Sequence, residues 1–91
     1  MTPAQEILYK HLIDSALVDL AGCDLDVQRE VIAYNAPLYN DLVVSMDRES
    51  RRALARGIPT SALKRAFVEA HSKNSAEVFQ RYLDAIAAEA Q

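Results

Sequence analysis

The chain has one cysteine, no tryptophan and only two glycines among its 91 residues. A lone thiol, Cys23, forms no internal disulfide, and without a secretory leader it points to a reducing, cytoplasmic setting. The glycines, Gly22 and Gly57, stand too far apart to build a phosphate-cradling loop. No apolar run nears the ~20 residues of a membrane span. Convincing alternation at period two is missing, and so are internal repeats and low-complexity linkers. Of two histidines, His11 and His71, neither lies in an H-E-x-x-H pattern, and with one cysteine they lack zinc-site spacing. Ser15, Ser45, Ser50 and Cys23 have no nucleophile elbow or adjacent base. The expectation is a non-enzymatic protein with no cofactor and no metal.

What is present is helix-forming. The sequence is 51% hydrophobic and 25% charged, with Ala, Leu, Glu, Gln, Arg and Lys plentiful, so helix is the locally preferred state. A chain this short makes one domain, residues 1–91. Thr2-Pro3-Ala4-Gln5 has the marks of a capping box with proline in the first turn. Ile7, Leu8, Leu12, Ile13, Ala16, Leu17 and Leu20 follow it as a broad apolar stripe ending at Gly22. Asp24 or Asp26 can cap the next helix.

The stretch Ala36–Gly57 organises the rest. Pro37 suits a first helical turn, and Gly57 suits the left-handed residue past a helix end, with Pro59 beyond it. Between them Leu38, Leu42, Met46 and Leu54 recur at helical spacing, widened by Val43, and are expected to face the core. Because the residue before proline avoids the α region, a stop or kink is expected before Pro37. The pattern fits either two helices, 25–35 and 37–56, or one bent helix. Thr60 or Ser61 can cap a helix bearing Leu63, Ala66 and Phe67. A polar break, Ser72-Lys73-Asn74-Ser75, precedes a last helix with Val78, Phe79, Tyr82, Leu83 and Ile86. The fold class is all-α: a compact bundle of four to five short amphipathic helices and no sheet.

Charge is segregated. Residues 1–47 carry −6, residues 48–65 carry +5 and residues 66–91 carry −2. Arg48, Arg51 or Arg52, and Arg56 share one helical face, and Lys64 and Arg65 return after a short turn. Arginine suits bidentate contacts with carboxylate or phosphate, while arginines in a last helical turn also simply complement the helix dipole. The acidic Asp14, Asp19, Asp24, Asp26 and Glu30 lack the ligand ladder of a calcium loop and read as a solvated helical face. His11 with Asp14 three residues on has the outline of a general base with its carboxylate, but also of an interfacial histidine. His71 near a helix end reads as a dipole-complementing residue. Residues 61–71 and 75–90 have a helix-turn-helix outline, yet the second helix would present Glu77, Asp84 and Glu89 to DNA. Tyr34 and Tyr39 flank Pro37 and are candidate recognition residues.

Val18-Asp19-Leu20-Ala21 followed by Tyr34-Asn35-Ala36-Pro37 resembles the theta subunit of bacterial replicative DNA polymerase, a small helical accessory protein. The resemblance covers these two strings, with a gap between them, and leaves the last third of the chain unmatched. It implies a place beside DNA replication.

Together these features lead to a small regulatory, adaptor or inhibitor protein that binds a protein partner, of a kind that a phage or other mobile element can encode. The contact is assigned to Arg48, Arg51, Arg52, Arg56, Lys64, Arg65, Tyr34 and Tyr39. A homodimer is also expected, because surplus apolar stripe in a small domain is buried by self-association. The alternative is a nucleic-acid-binding or replication accessory protein using residues 48–65.

Overall fold

A computed structural model describes residues 1–70 and 74–89. The described residues form four helices and no strand: α1 (Pro3–Asp19), α2 (Leu25–Ala55), α3 (Ser61–Ala70) and α4 (Ser75–Glu89). The protein is an all-α bundle. Helix α1 packs against α2 and α4, and α3 packs against α4.

Local chemistry sets the boundaries. Thr2 Oγ1 accepts from the Gln5 N–H at 3.1 Å, and Gln5 Oε1 accepts from the Thr2 N–H at 2.9 Å, so the capping box is complete. At the α1–α2 turn, Asp24 occupies the cap position but its side chain makes no capping bond. Gln28 acts there instead. Its Nε2 donates to the carbonyls of Cys23 (3.0 Å) and Leu20 (3.1 Å), the latter also accepting from the Cys23 N–H, and so ties the start of α2 to the turn. Gly57 has φ 68°, as expected for a residue just past a helix end. The N–H of Ile58 donates to the Ala53 carbonyl and that of Gly57 to Leu54, the paired bonds of a Schellman cap. Asn74 enters α4 with φ 70°, a conformation asparagine tolerates better than most residues. The remainder of the polar break, Ser72-Lys73, and His71 lie outside the described residues.

For α2 one open alternative is decided and one expectation is corrected. Of two helices or one bent helix, the structure has a single helix that runs through Pro37 from Leu25 to Ala55, so Pro37 lies inside the helix and not in a first turn. Proline removes the N–H that would reach the Ala33 carbonyl. Both residues are exposed, so water can satisfy that carbonyl. The correction concerns the core-facing stripe. Leu38, Leu42 and Leu54 are exposed, and the residues buried on α2 are Val43, Asp47, Ser50 and Ala53, with Met46 packed beside them. The inward face is rotated from the expected one because two of its members are polar.

The core joins Ala4, Leu8 and Leu12 of α1, Val43 of α2, Phe67 of α3, and Val78, Phe79, Tyr82 and Ile86 of α4. It occupies one end of the molecule. No residue from Ile13 to Leu42 is buried. This segment forms a two-helix arm that continues α1 and α2 beyond the core. The arm explains the overall dimensions of 46 × 23 × 18 Å and the radius of gyration of 14.0 Å, above the ~12 Å expected of a compact chain of this length. The long dimension matches the length of a 31-residue helix, about 46 Å.

Candidate interaction surface and its buried polar anchor

The predicted site residues fall into three settings. Arg51 is tied into the fold: its Nε donates to both oxygens of Asp47 at 3.0 Å, and its Nη2 donates to Glu89 Oε2 at 2.7 Å. The Glu89 carboxylate, and Asp47 with it, hold the Arg51 guanidinium above its already high ordinary value. Arg52 sits 3.6 Å from Glu49 in a surface pair, a contact of little energetic weight. Among the described residues, no ion pair or side-chain hydrogen bond engages Arg48, Arg56, Lys64 or Arg65. Arg52 and Arg56 line a cleft with Ile58, Pro59 and Leu63, so the end of α2 and the start of α3 do come together as one basic end. Tyr34 and Tyr39 are not brought together. Tyr34 is 75% exposed on the arm, while Tyr39 packs against the core.

Beneath Arg51 lies a polar cluster that the sequence pattern hides. Asp47 is only 5% exposed. It accepts from the Tyr82 hydroxyl at 2.8 Å, from Gln5 Nε2 at 2.8 Å and from Arg51. Each donor comes from a different turn of the fold, so one carboxylate ties α1, α2 and α4 together. Gln5 serves two purposes, since its oxygen closes the capping box while its nitrogen holds Asp47. Burial pushes the Tyr82 hydroxyl well above its ordinary value, which keeps it a donor. Ser50 Oγ is buried beside it and has no hydrogen-bond partner of good geometry. The one legible signal was the i, i+4 spacing of Asp47 and Arg51.

His11 makes a second polar link. It shares a 3.0 Å hydrogen bond between Nε2 and Ser75 Oγ, and its ring leans on Phe67 with centroids 5.8 Å apart. Ser75 is buried at the first turn of α4. A hydroxyl enclosed in this way joins α1 to α4, and the general-base outline of His11 with Asp14 gains no reachable substrate atom from it. Burial lowers the His11 pKa below 6.5; Asp14 opposes the shift and Arg81 adds to it. The folded state therefore favours neutral His11. The unfolded chain binds the proton more readily, so this contribution is complete above pH 6.5 and is lost as pH falls below that value. The wild-type melting temperature is accordingly expected to fall more between pH 7.5 and pH 5.5 than that of His11→Gln, which keeps a hydrogen-bonding side chain without titrating. Parallel declines measured by circular dichroism would refute this.

The outer side of α2 is the remaining candidate. Val27, Tyr34, Leu38, Ser45, Arg52 and Arg56 are spaced by seven, four, seven, seven and four residues, so they form one strip along the helix. All are exposed. Tyr34 (75%) and Leu38 (56%) are the most open apolar members, and Leu42 lies at the strip's edge. The arm end of the strip is flanked by the exposed Asp24, Asp26 and Glu30, and the core end carries Arg48, Arg52 and Arg56, with the single acid Glu49 beside Arg52. Among the described residues, no group of three histidine, cysteine, aspartate or glutamate side chains could hold a metal ion. None of the described helices is long and apolar enough to cross a membrane. Comparison of the chain with protein-family models, curated proteins and solved structures finds no match.

Proposed function

We propose that the protein acts by binding another protein, as a regulator, adaptor or inhibitor, and that the outer face of α2 makes the contact. The observation that carries this reading is the exposed strip Val27, Tyr34, Leu38 and Leu42 running on into Arg48, Arg52 and Arg56. Single exposed apolar side chains are ordinary on protein surfaces. An aligned exposed set on a helix with no fully buried residue over its first half is the pattern of a helix awaiting a partner. Tyrosine and arginine are also the residue types that concentrate binding energy at interfaces.

The nucleic-acid reading draws on Arg48, Arg56, Lys64 and Arg65, which no ion pair engages among the described residues. It is weakened because Arg51 is held by Asp47 and Glu89, and because six exposed acids crowd the arm of the same helix hairpin. Phosphate would be repelled along half of the strip. A photo-crosslinking residue in place of Tyr34, used in extract of cells that make the protein, separates the two. The expected adduct is destroyed by protease and unaffected by nuclease. A nuclease-sensitive adduct, or nucleic acid retained at physiological salt with no protein adduct, would overturn the proposal.

A further inference from the structure

We infer that the occupant of the outer face of α2 is a second copy of the chain, docked antiparallel across a two-fold axis near residues 39–40. The inference rests on reading that face as a protein-docking surface, and it is carried by the order of charges along the helix.

Residues 13–42, the arm, carry six acids and a single base, Arg29, whereas residues 48–65 carry a balance of +5. These segments sit at opposite ends of one 31-residue helix and its extension into α3. A parallel pair of α2 helices would set arm against arm and basic end against basic end. Like charges would then face each other along the full length. An antiparallel pair reverses this. With the axis at residues 39–40, Glu30 lies opposite the partner's Arg48, Asp26 opposite the partner's Arg52, and Asp24 opposite the partner's Arg56. Two-fold symmetry repeats each pairing.

The apolar content agrees with the same register. Leu38 and Leu42 straddle the axis, so the two copies bring these leucines together at the centre of the seam, with Tyr34 beside them. Apolar side chains at the centre and charges toward the ends is the usual anatomy of a protein interface. Asp41 lies on the opposite edge of the strip from Leu42, so each copy also brings one carboxylate close to the axis. Helix α4 meets the inward side of α2, where Tyr82 bonds Asp47, and α3 adjoins the strip only at its basic end, where Arg52 and Arg56 share a cleft with Leu63. The bound Arg51 points to Asp47 and Glu89 and takes no part.

Sedimentation equilibrium of the purified chain across the micromolar range tests this. The expected mass is twice the 10.1 kDa of the monomer. Arg48→Glu with Arg52→Glu should weaken association about tenfold or more, an effect that shrinks as salt is raised. Adding Asp26→Arg and Glu30→Arg to the same chain should restore it, which a loss of folding would not allow. Leu38→Glu should give a helical monomer, since that side chain is outside the core. A monomer at every concentration overturns the inference, as does a dimer indifferent to these substitutions. If the wild-type chain is monomeric and Tyr34 still crosslinks to a different protein, the docking reading survives without the second copy. If it is monomeric and forms no protein adduct, both fall.

Discussion

Asp47→Ala is expected to lower the stability of the fold by about 2–4 kcal/mol. The substitution removes few atoms, so the effect is not one of volume. It takes the shared carboxylate from three donors, the Tyr82 hydroxyl, Gln5 Nε2 and Arg51 Nε, and the Ser50 hydroxyl beside Tyr82 offers only a neutral acceptor in its place. Arg51 escapes most of the penalty, because its side chain is 37% exposed and can turn to water and Glu89. Tyr82 cannot, being fully buried. The cost should therefore be traceable to that hydroxyl. In a double-mutant cycle, Tyr82→Phe combined with Asp47→Ala should cost less than the sum of the two alone, with a coupling of about 1 kcal/mol or more. Asp47→Asn, which retains an acceptor oxygen, should fall between wild type and alanine. Denaturant titration of the five proteins reads all of these. Strict additivity would show that the hydroxyl and the carboxylate act independently.

Phe79→Ala is expected to cost more, about 3–5 kcal/mol. Phe79 is completely buried at the centre of the aromatic row, with ring centroids 5.6 Å from Phe67 and 5.4 Å from Tyr82. Phe67 is the buried residue of α3, with Leu63 packed beside the core, and the Phe79 ring is one of the surfaces on which Phe67 rests. A domain of this size has roughly 5–14 kcal/mol of total stability. The variant should thus unfold about 15–30 °C below wild type, with α3 loosened first. Hydrogen exchange should report early loss of protection in residues 61–70. By contrast, Val68→Ala, on the exposed side of α3, should change stability by less than about 0.5 kcal/mol. Equal effects of the two would place the core elsewhere.

Sequence periodicity was enough to find the helices, because each carries its own start and stop signals. Thr2 and Gln5 announce α1, Gly57 and Pro59 close α2, and the α4 stripe of Val78, Phe79, Tyr82 and Ile86 is the stripe that the fold buries. The inward face of α2 was not legible. A reader counting apolar residues follows Leu38, Leu42 and Leu54 and so selects the wrong side of the helix. The true inward side contains Asp47 and Ser50, whose burial depends on donors contributed from other helices. The same error concealed the outer strip, since those leucines were assigned to the core. Basic residues told a similar story: helical spacing grouped Arg51 with Arg48, Arg52 and Arg56, while Asp47 and Glu89 withdraw Arg51 from the surface group. Continuity of α2 through Pro37 is one of the two readings the sequence allows, and the choice between them is not legible, because proline's local penalty is visible in sequence and the exposure that mitigates it is not.

The outer face of α2 is most directly tested by a crosslinking scan around the arm. A photo-reactive residue is placed in turn at Tyr34, Leu38 and Ser45 on the strip, and at Ala33 and Asn40, which are also exposed but lie on a different side of the helix. Adducts to protein from the first three positions and none from the last two are the predicted result. Adducts from all five positions alike, or from Ala33 and Asn40 alone, would contradict it.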